Sequence, residues 1–186
     1  LDVIKKNLDI PVFELIESAA SSVFKESRLG VLATPSTVKT KAYTKAILEF
    51  KPKTFVIEKA CPEFVPMIEK DKIKYNEIRD AAIKYLEPVL KENIESLILG
   101  CSHYPLLTPL LSKLVPPNIK LIDPAEALSI KLKFFMNSNT NNFAKTEYLV
   151  DSKFYVTSEP INFAKRAKHW LNVLPEVNLV SLQKKA

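Results

Sequence analysis

Short apolar runs alternate with amphipathic stretches along this chain. Compact runs at residues 29–33, 54–58, 94–99 and 119–122 are too short for helices and read as buried strands. Residues 154–157 and 177–182 add two more. Residues 10–16 are also apolar and predict a strand, with Pro11 tolerated near its beginning. Between these runs the period changes. Ile78, Ala81, Ala82, Tyr85, Leu86, Val89 and Leu90 recur at helical spacing and predict a helix over 76–92, kinked or shortened at Pro88. Helices over 18–25, 37–50 and 159–171 follow from the same reading. Pro62 suits the first turn of another helix, whose inner face is Phe64, Val65 and Ile68. Ser36 or Thr37 is the expected cap of the 37–50 helix, and Thr108 of the helix opened by Pro109. Asp123 with Glu126 has the form of a capping box. Residues 137–142 read as a polar surface loop, 183–186 as a frayed tail, and His169 as a surface or packing residue. Strands alternating with helices predict an α/β fold, a parallel sheet with helices on both faces.

The strand at 94–99 runs into Gly100-Cys101-Ser102-His103-Tyr104-Pro105. Open α/β sheets bind ligands at the carboxyl ends of their strands. Gly100 is expected to permit a tight turn and close approach of a ligand to the backbone. Cys101 then lies near free backbone N–H groups, which favour thiolate over thiol, as does a protonated histidine. A thiolate of tunable pKa suits removal of a proton from a weak carbon acid. The hydroxyl and N–H of Ser102, the N–H of His103 and Thr37 could hold a carboxylate whose charge grows in the transition state. Cys101 with His103 could also be the nucleophile–base pair of an amidase, although residues two apart on a turn rarely aim a ring at the thiol. Cys61, in Ala60-Cys61-Pro62, adjoins no histidine and reads as a buried structural cysteine.

Composition narrows the field. The chain has 186 residues, 47% of them hydrophobic, enough for a sizeable core. The net charge of +6 comes from scattered lysines rather than an arginine–aromatic stripe, so it reads as a solvated surface and argues against nucleic acid. Two cysteines in motif-like settings suggest reduced thiols in a cytoplasmic protein. Two Cys and two His do not give metal-ligand spacing, so no metal is expected. No apolar run reaches membrane-spanning length.

Three ordered segments carry a resemblance. Gly100-Cys101-Ser102-His103-Tyr104-Pro105 resembles the second cysteine motif of the cofactor-independent aspartate/glutamate racemase family, in its glutamate branch, with Ser102 where Thr is usual. The segment from Gly30 through Thr34, Thr37 and Val38 to Tyr43 resembles that family's Gly-Val-Ile-Ala-Thr stretch with its later Thr-Val and Tyr. Ala60-Cys61-Pro62-Glu63-Phe64-Val65-Pro66 resembles its Ala-Cys-Pro segment. The resemblance implies two α/β domains with the site between them: residues 16–122 in one, and 1–15 with 123–186 in the other. It implies that Cys101 is the base acting on L-glutamate, that Ser102 and His103 belong to the substrate site, and that Glu69 assists the bases; Thr37 and Thr34 are the further candidates for holding the substrate. No metal or pyridoxal phosphate is implied. D-Glutamate for peptidoglycan is the implied product, and a homodimer the implied assembly of the full-length protein.

The family also has an N-terminal half carrying a first catalytic cysteine, which this sequence does not contain. A fragment is therefore expected, in keeping with Leu1 in place of Met and with Ile4 and Leu8 one helical turn apart. Two alternatives stand beside glutamate: an aspartate racemase, whose branch commonly has Glu where this chain has His103, and a non-catalytic amino-acid-binding remnant.

Overall fold

The computed structural model describes residues 2–7, 9–70, 74–139 and 152–182. The chain divides into two units, residues 1–139 and 140–186. In the first unit, helices α1 (Asp2–Asn7) and α2 (Leu15–Ser22) precede strand β1 (Arg28–Ala33). Helices α3 (Pro35–Thr40) and α4 (Ala42–Phe50) lead to β2 (Phe55–Ala60), and α5 (Phe64–Ile68) and α6 (Tyr75–Leu90) lead to β3 (Ser96–Gly100). A 3-10 turn (Tyr104–Leu107) runs into α7 (Thr108–Leu114), followed by β4 (Lys120–Ile122) and α8 (Pro124–Asn139). In the second unit, β5 (Phe154–Val156) and β6 (Val177–Leu179) pair in parallel, with α9 (Pro160–Leu171) between them in sequence.

The four strands of the first unit are all parallel, in the order β2-β1-β3-β4. Side-chain alternation divides the core between the two faces of this sheet. Leu29, Val31, Ala33 and Ile98 pack with Ala19, Ala20 and Val23 of the α2 region and with Tyr43 and Ile47 of α4. Leu32, Leu97 and Leu99 pack on the other face with Phe64, with Ala82, Leu86 and Val89 of α6, and with Leu111 of α7. Each fully buried aliphatic side chain contributes about 1.5–3 kcal/mol, so residues 29–33 and 97–99 fasten the sheet from both sides. Gly30 faces α6 so closely that a Cβ there would lie 2.6 Å from Val89 Cγ1.

Several elements differ from the sequence reading. Residues 10–16 form no strand: 9–14 are irregular, and Leu15 and Ile16 open α2. The cause is tertiary. Ile10 is exposed, and Phe13 packs edge-on against Phe135 of α8, with ring centroids 5.1 Å apart. The 37–50 helix is two helices, broken at Lys41, whose φ of 52° lies in the left-handed region. The helix also starts earlier than expected, at Pro35, so Ser36 and Thr37 lie inside α3 rather than at its cap. Thr108 is no cap either: the 3-10 turn passes directly into α7. Asp123 does cap α8, its Oδ1 accepting from the N–H of Ala125 at 2.8 Å. That helix continues to Asn139, through part of the predicted loop; residues 140–142 and the tail 183–186 lie outside the described residues. The side chain of His169 lies outside them too. No described helix is long and apolar enough to cross a membrane.

Candidate active site

Three strands end level with one another. Ala33 pairs with Ala60 on one side and with Gly100 on the other. The residues that follow, Thr34, Cys61 and Cys101, therefore leave the sheet side by side at its carboxyl edge. The chain passes from β1 outward to β2, then returns across β1 to β3. Strand order thus reverses between β1 and β3, the position at which open α/β sheets bind ligands. Thr34 and Cys101 flank that position, about 4.8 Å apart in strand spacing.

Cys101 is a free, half-buried thiol. Its N–H donates to Leu99 O at 2.9 Å and its carbonyl accepts from Tyr104 N–H at 3.0 Å, a tight turn that holds Ser102 and His103 at its outside. Among the described residues, no hydrogen bond engages the N–H of Ser102 or His103. Two donors beside the thiol are thus open to an anion, and Ser102 itself is exposed. His103 Nδ1 lies 3.9 Å from Cys101 Sγ, and its Nε2 lies 3.1 Å from Glu69 Oε1. A carboxylate accepts only, so it takes the Nε2 proton. That tautomer leaves Nδ1 as the acceptor facing the thiol. Cys101, His103 and Glu69 thus lie in sequence, thiol to ring to carboxylate.

Glu69 arrives from a different part of the chain. It directly follows α5, with its N–H bonded to Val65 O at 3.0 Å. The hydroxyls after β1 form a second group: Thr34 Oγ1 lies 2.9 Å from Thr37 Oγ1 and 3.1 Å from Ser36 Oγ. The structure therefore brings Cys101, Ser102, His103 and Glu69 together, with Thr34 and Thr37 clustered at the end of the neighbouring strand.

Cys61 is built differently. It is 1% exposed, and burial pushes its thiol up to about 12. Its carbonyl accepts from the hydroxyl of buried Tyr104 at 3.0 Å, which ties the turn after β3 to the turn after β2. Gly100 also has a role other than the one expected. No glycine has positive φ, and Gly100 ends β3 in extended backbone. A Cβ there would meet Tyr43 Cε2 at 2.8 Å and Leu32 O at 2.9 Å, so space rather than turn geometry calls for glycine. The sequence reading missed Glu58, whose Oε1 accepts from Thr44 N–H at 2.8 Å and Thr44 Oγ1 at 2.6 Å. A carboxylate toward the end of an otherwise apolar strand was the signal available. Among the described residues, no three His, Cys, Asp or Glu side chains gather as a metal site. A groove lined by Ile83, Leu86, Glu87, Leu90, Lys91 and Leu114 includes neither Cys101, Ser102, His103 and Glu69 nor the Thr34–Thr37 group.

A family model described as Asp/Glu/Hydantoin racemase matches residues 1–129. A glutamate racemase of Prochlorococcus marinus (strain NATL2A) is 69% identical over 185 residues, an alignment covering 100% of this chain and 69% of that protein. A glutamate racemase of Synechococcus sp. (strain CC9605) is 42% identical over 96% of this chain and 68% of its own length. Among solved structures, glutamate racemase from Francisella tularensis in complex with D-glutamate superposes with a TM-score of 0.85 at 31% identity, covering 97% of this chain and 68% of that one. A Bacillus anthracis glutamate racemase isoform gives a TM-score of 0.86 at 28% identity, with the same coverages.

Proposed function

The chain belongs to the Asp/Glu/Hydantoin racemase family, and from that premise we propose that it carries one half of the acid–base site of a cofactor-independent glutamate racemase. The observation that supports this most is the half-buried Cys101 thiol at the sheet's reversal point, facing His103 at 3.9 Å with Glu69 behind the ring at 3.1 Å.

Racemisation removes the α-proton of an amino acid from one face and returns a proton to the other. Cys101, as thiolate, takes the α-proton of L-glutamate, and the S–H so formed is the acid for the reverse direction. Negative charge grows on the α-carboxylate as the carbon–hydrogen bond breaks. The open N–H groups of Ser102 and His103 and the Ser102 hydroxyl are the donors for it, and the hydroxyls of Thr34 and Thr37 hold the substrate from the β1 side. His103 orients and polarises the thiol, and Glu69 keeps the ring in the tautomer that does so. Inversion also needs an acid on the opposite face. Cys61 does not supply it, being buried with its thiol held protonated. That acid is expected from the part of the relatives' length outside this chain, which spans about 69% of the Prochlorococcus protein.

Glutamate is favoured over aspartate by the two close relatives and by a histidine, rather than a glutamate, at His103. The reading places the protein in the cytoplasm as a homodimer, supplying D-glutamate to peptidoglycan synthesis. The test is Cys101→Ala, assayed with L-glutamate in deuterated water in the complete gene product, following optical rotation and α-deuterium uptake. Both signals should vanish in the variant. Wild-type uptake without Cys101 would remove it as the base.

A further inference from the structure

We propose that Tyr43 is a positioning residue for Cys101: its buried ring fills the space beside Gly100 that a side chain would need, and so sets where β3 ends and the thiol-bearing turn begins. The proposal rests on the reading of Cys101 as the acid–base thiol.

Tyr43 is 1% exposed and packs within the cluster of Val31, Ala33, Ile47 and Ile98. Its Cε2 lies 2.8 Å from the position of a Cβ on Gly100. The Cys101 N–H donates across Gly100 to Leu99 O at 2.9 Å, so the turn that presents the thiol pivots on the residue the ring abuts. Burial raises the phenol's pKa, and the nearby Cys101, Glu58 and Asp123 raise it further. The phenol therefore stays neutral.

The ring is itself held in place. Tyr43 is the second residue of α4, and the Glu58 carboxylate on β2 accepts both the N–H and the hydroxyl of Thr44, the next residue. Lys41, in left-handed backbone, breaks the helix just before and lets α4 start on a new axis. Its N–H donates to Val38 O at 3.0 Å, and its carbonyl accepts from Lys45 N–H at 2.9 Å, so the break is bonded on both sides. A mechanical line thus runs from β2 through α4 and the Tyr43 ring to the backbone beside the thiol.

The experiment measures the iodoacetamide alkylation rate of Cys101, read on its own peptide by mass spectrometry, against pH in the complete gene product on a Cys61→Ala background, alongside kcat and KM. Tyr43→Phe keeps the ring and should follow the wild-type profile. Tyr43→Leu and Gly100→Ala should shift that profile, with kcat down about tenfold or more and KM within about twofold, because a small misplacement acts on the reacting geometry rather than on binding. The pair Gly100→Ala/Tyr43→Leu should recover part of the loss of Gly100→Ala, since the ring's contact with the added methyl is relieved while the Leu32 carbonyl remains 2.9 Å from it. A folded Tyr43→Leu variant with an unchanged alkylation profile overturns the proposal. Should that variant not fold, an unchanged profile in Gly100→Ala overturns it equally. Alkylation reports the thiol's placement whether or not the protein racemises glutamate, so shifted profiles without wild-type racemisation would count against the function and not against the placement.

Discussion

Tyr104→Phe removes one oxygen and keeps the ring, which makes it a clean probe of the link between the two cysteine-bearing turns. Tyr104 is fully buried, its ring stands edge-on to Phe64 at 5.2 Å, and its hydroxyl donates to Cys61 O at 3.0 Å. Phenylalanine retains the ring contact, so the loss is the hydrogen bond. Leaving a buried acceptor unpaired costs about 1–3 kcal/mol. Cys61 O has a second donor in Phe64 N–H, but at 3.4 Å that bond is long. The cost should therefore fall in the lower part of the range, about 1–1.5 kcal/mol. For a chain of this size the corresponding loss in Tm is about 2–6 °C. Urea unfolding followed by far-ultraviolet circular dichroism and by tyrosine fluorescence measures it, and coincidence of the two probes licenses a two-state analysis. The expected result is a lower midpoint with an unchanged slope. A variant as stable as wild type would mean that the bond contributes nothing, and a loss well above about 3 kcal/mol would mean that the ring had also lost its packing.

Two further outcomes follow from the core. Gly30→Ala places a methyl 2.6 Å from Val89 Cγ1, 2.8 Å from Ile94 Cδ1 and 3.0 Å from Leu97 Cδ1, and should cost about 1–3 kcal/mol by overpacking. Its Cys101 alkylation rate should not change, because the strain lies on the α6 face; a lowered urea midpoint is the measurement, and no change in midpoint would show that α6 yields freely. Burial raises the Cys61 thiol from its ordinary 9.0 to about 12. Between those values the unfolded chain releases the proton and the native chain keeps it, so this contribution to stability is complete below pH 9 and is lost as pH rises toward 12. Cys61→Ala should flatten the alkaline fall in stability, measured by urea midpoints along a pH series, and an identical slope in the variant would contradict the buried-thiol assignment.

The local pattern decided much of this protein. Apolar runs bounded by Gly, Pro and polar residues determine β1 and β3, because a strand buried on both faces needs a continuous apolar stretch, and shorter apolar runs mark the partly buried edge strands β2 and β4. The sequence Asp123-Pro124 determines the start of α8, because a carboxylate one residue ahead of proline can accept from the free N–H groups that follow. The packing of Cys, Ser and His at one strand end identified the candidate site, since the groups that carry the chemistry are adjacent in the chain.

Tertiary structure decided what depends on distant partners. Glu69 meets His103 across 34 residues only because β2 and β3 flank β1, an order no local pattern encodes. Residues 10–16 have strand-like composition, yet no open sheet edge receives them; Phe13 finds Phe135 of α8 instead, and Leu15 and Ile16 join a helix. The break at Lys41 is invisible in a residue type that favours helices, and it follows from where β2 places Glu58 to receive the start of α4. Gly100 reads in the sequence as a turn residue. In the fold its backbone is ordinary extended strand, and what requires glycine is the Leu32 carbonyl of the neighbouring strand together with the Tyr43 ring, pressed against it from a helix 57 residues earlier in the chain.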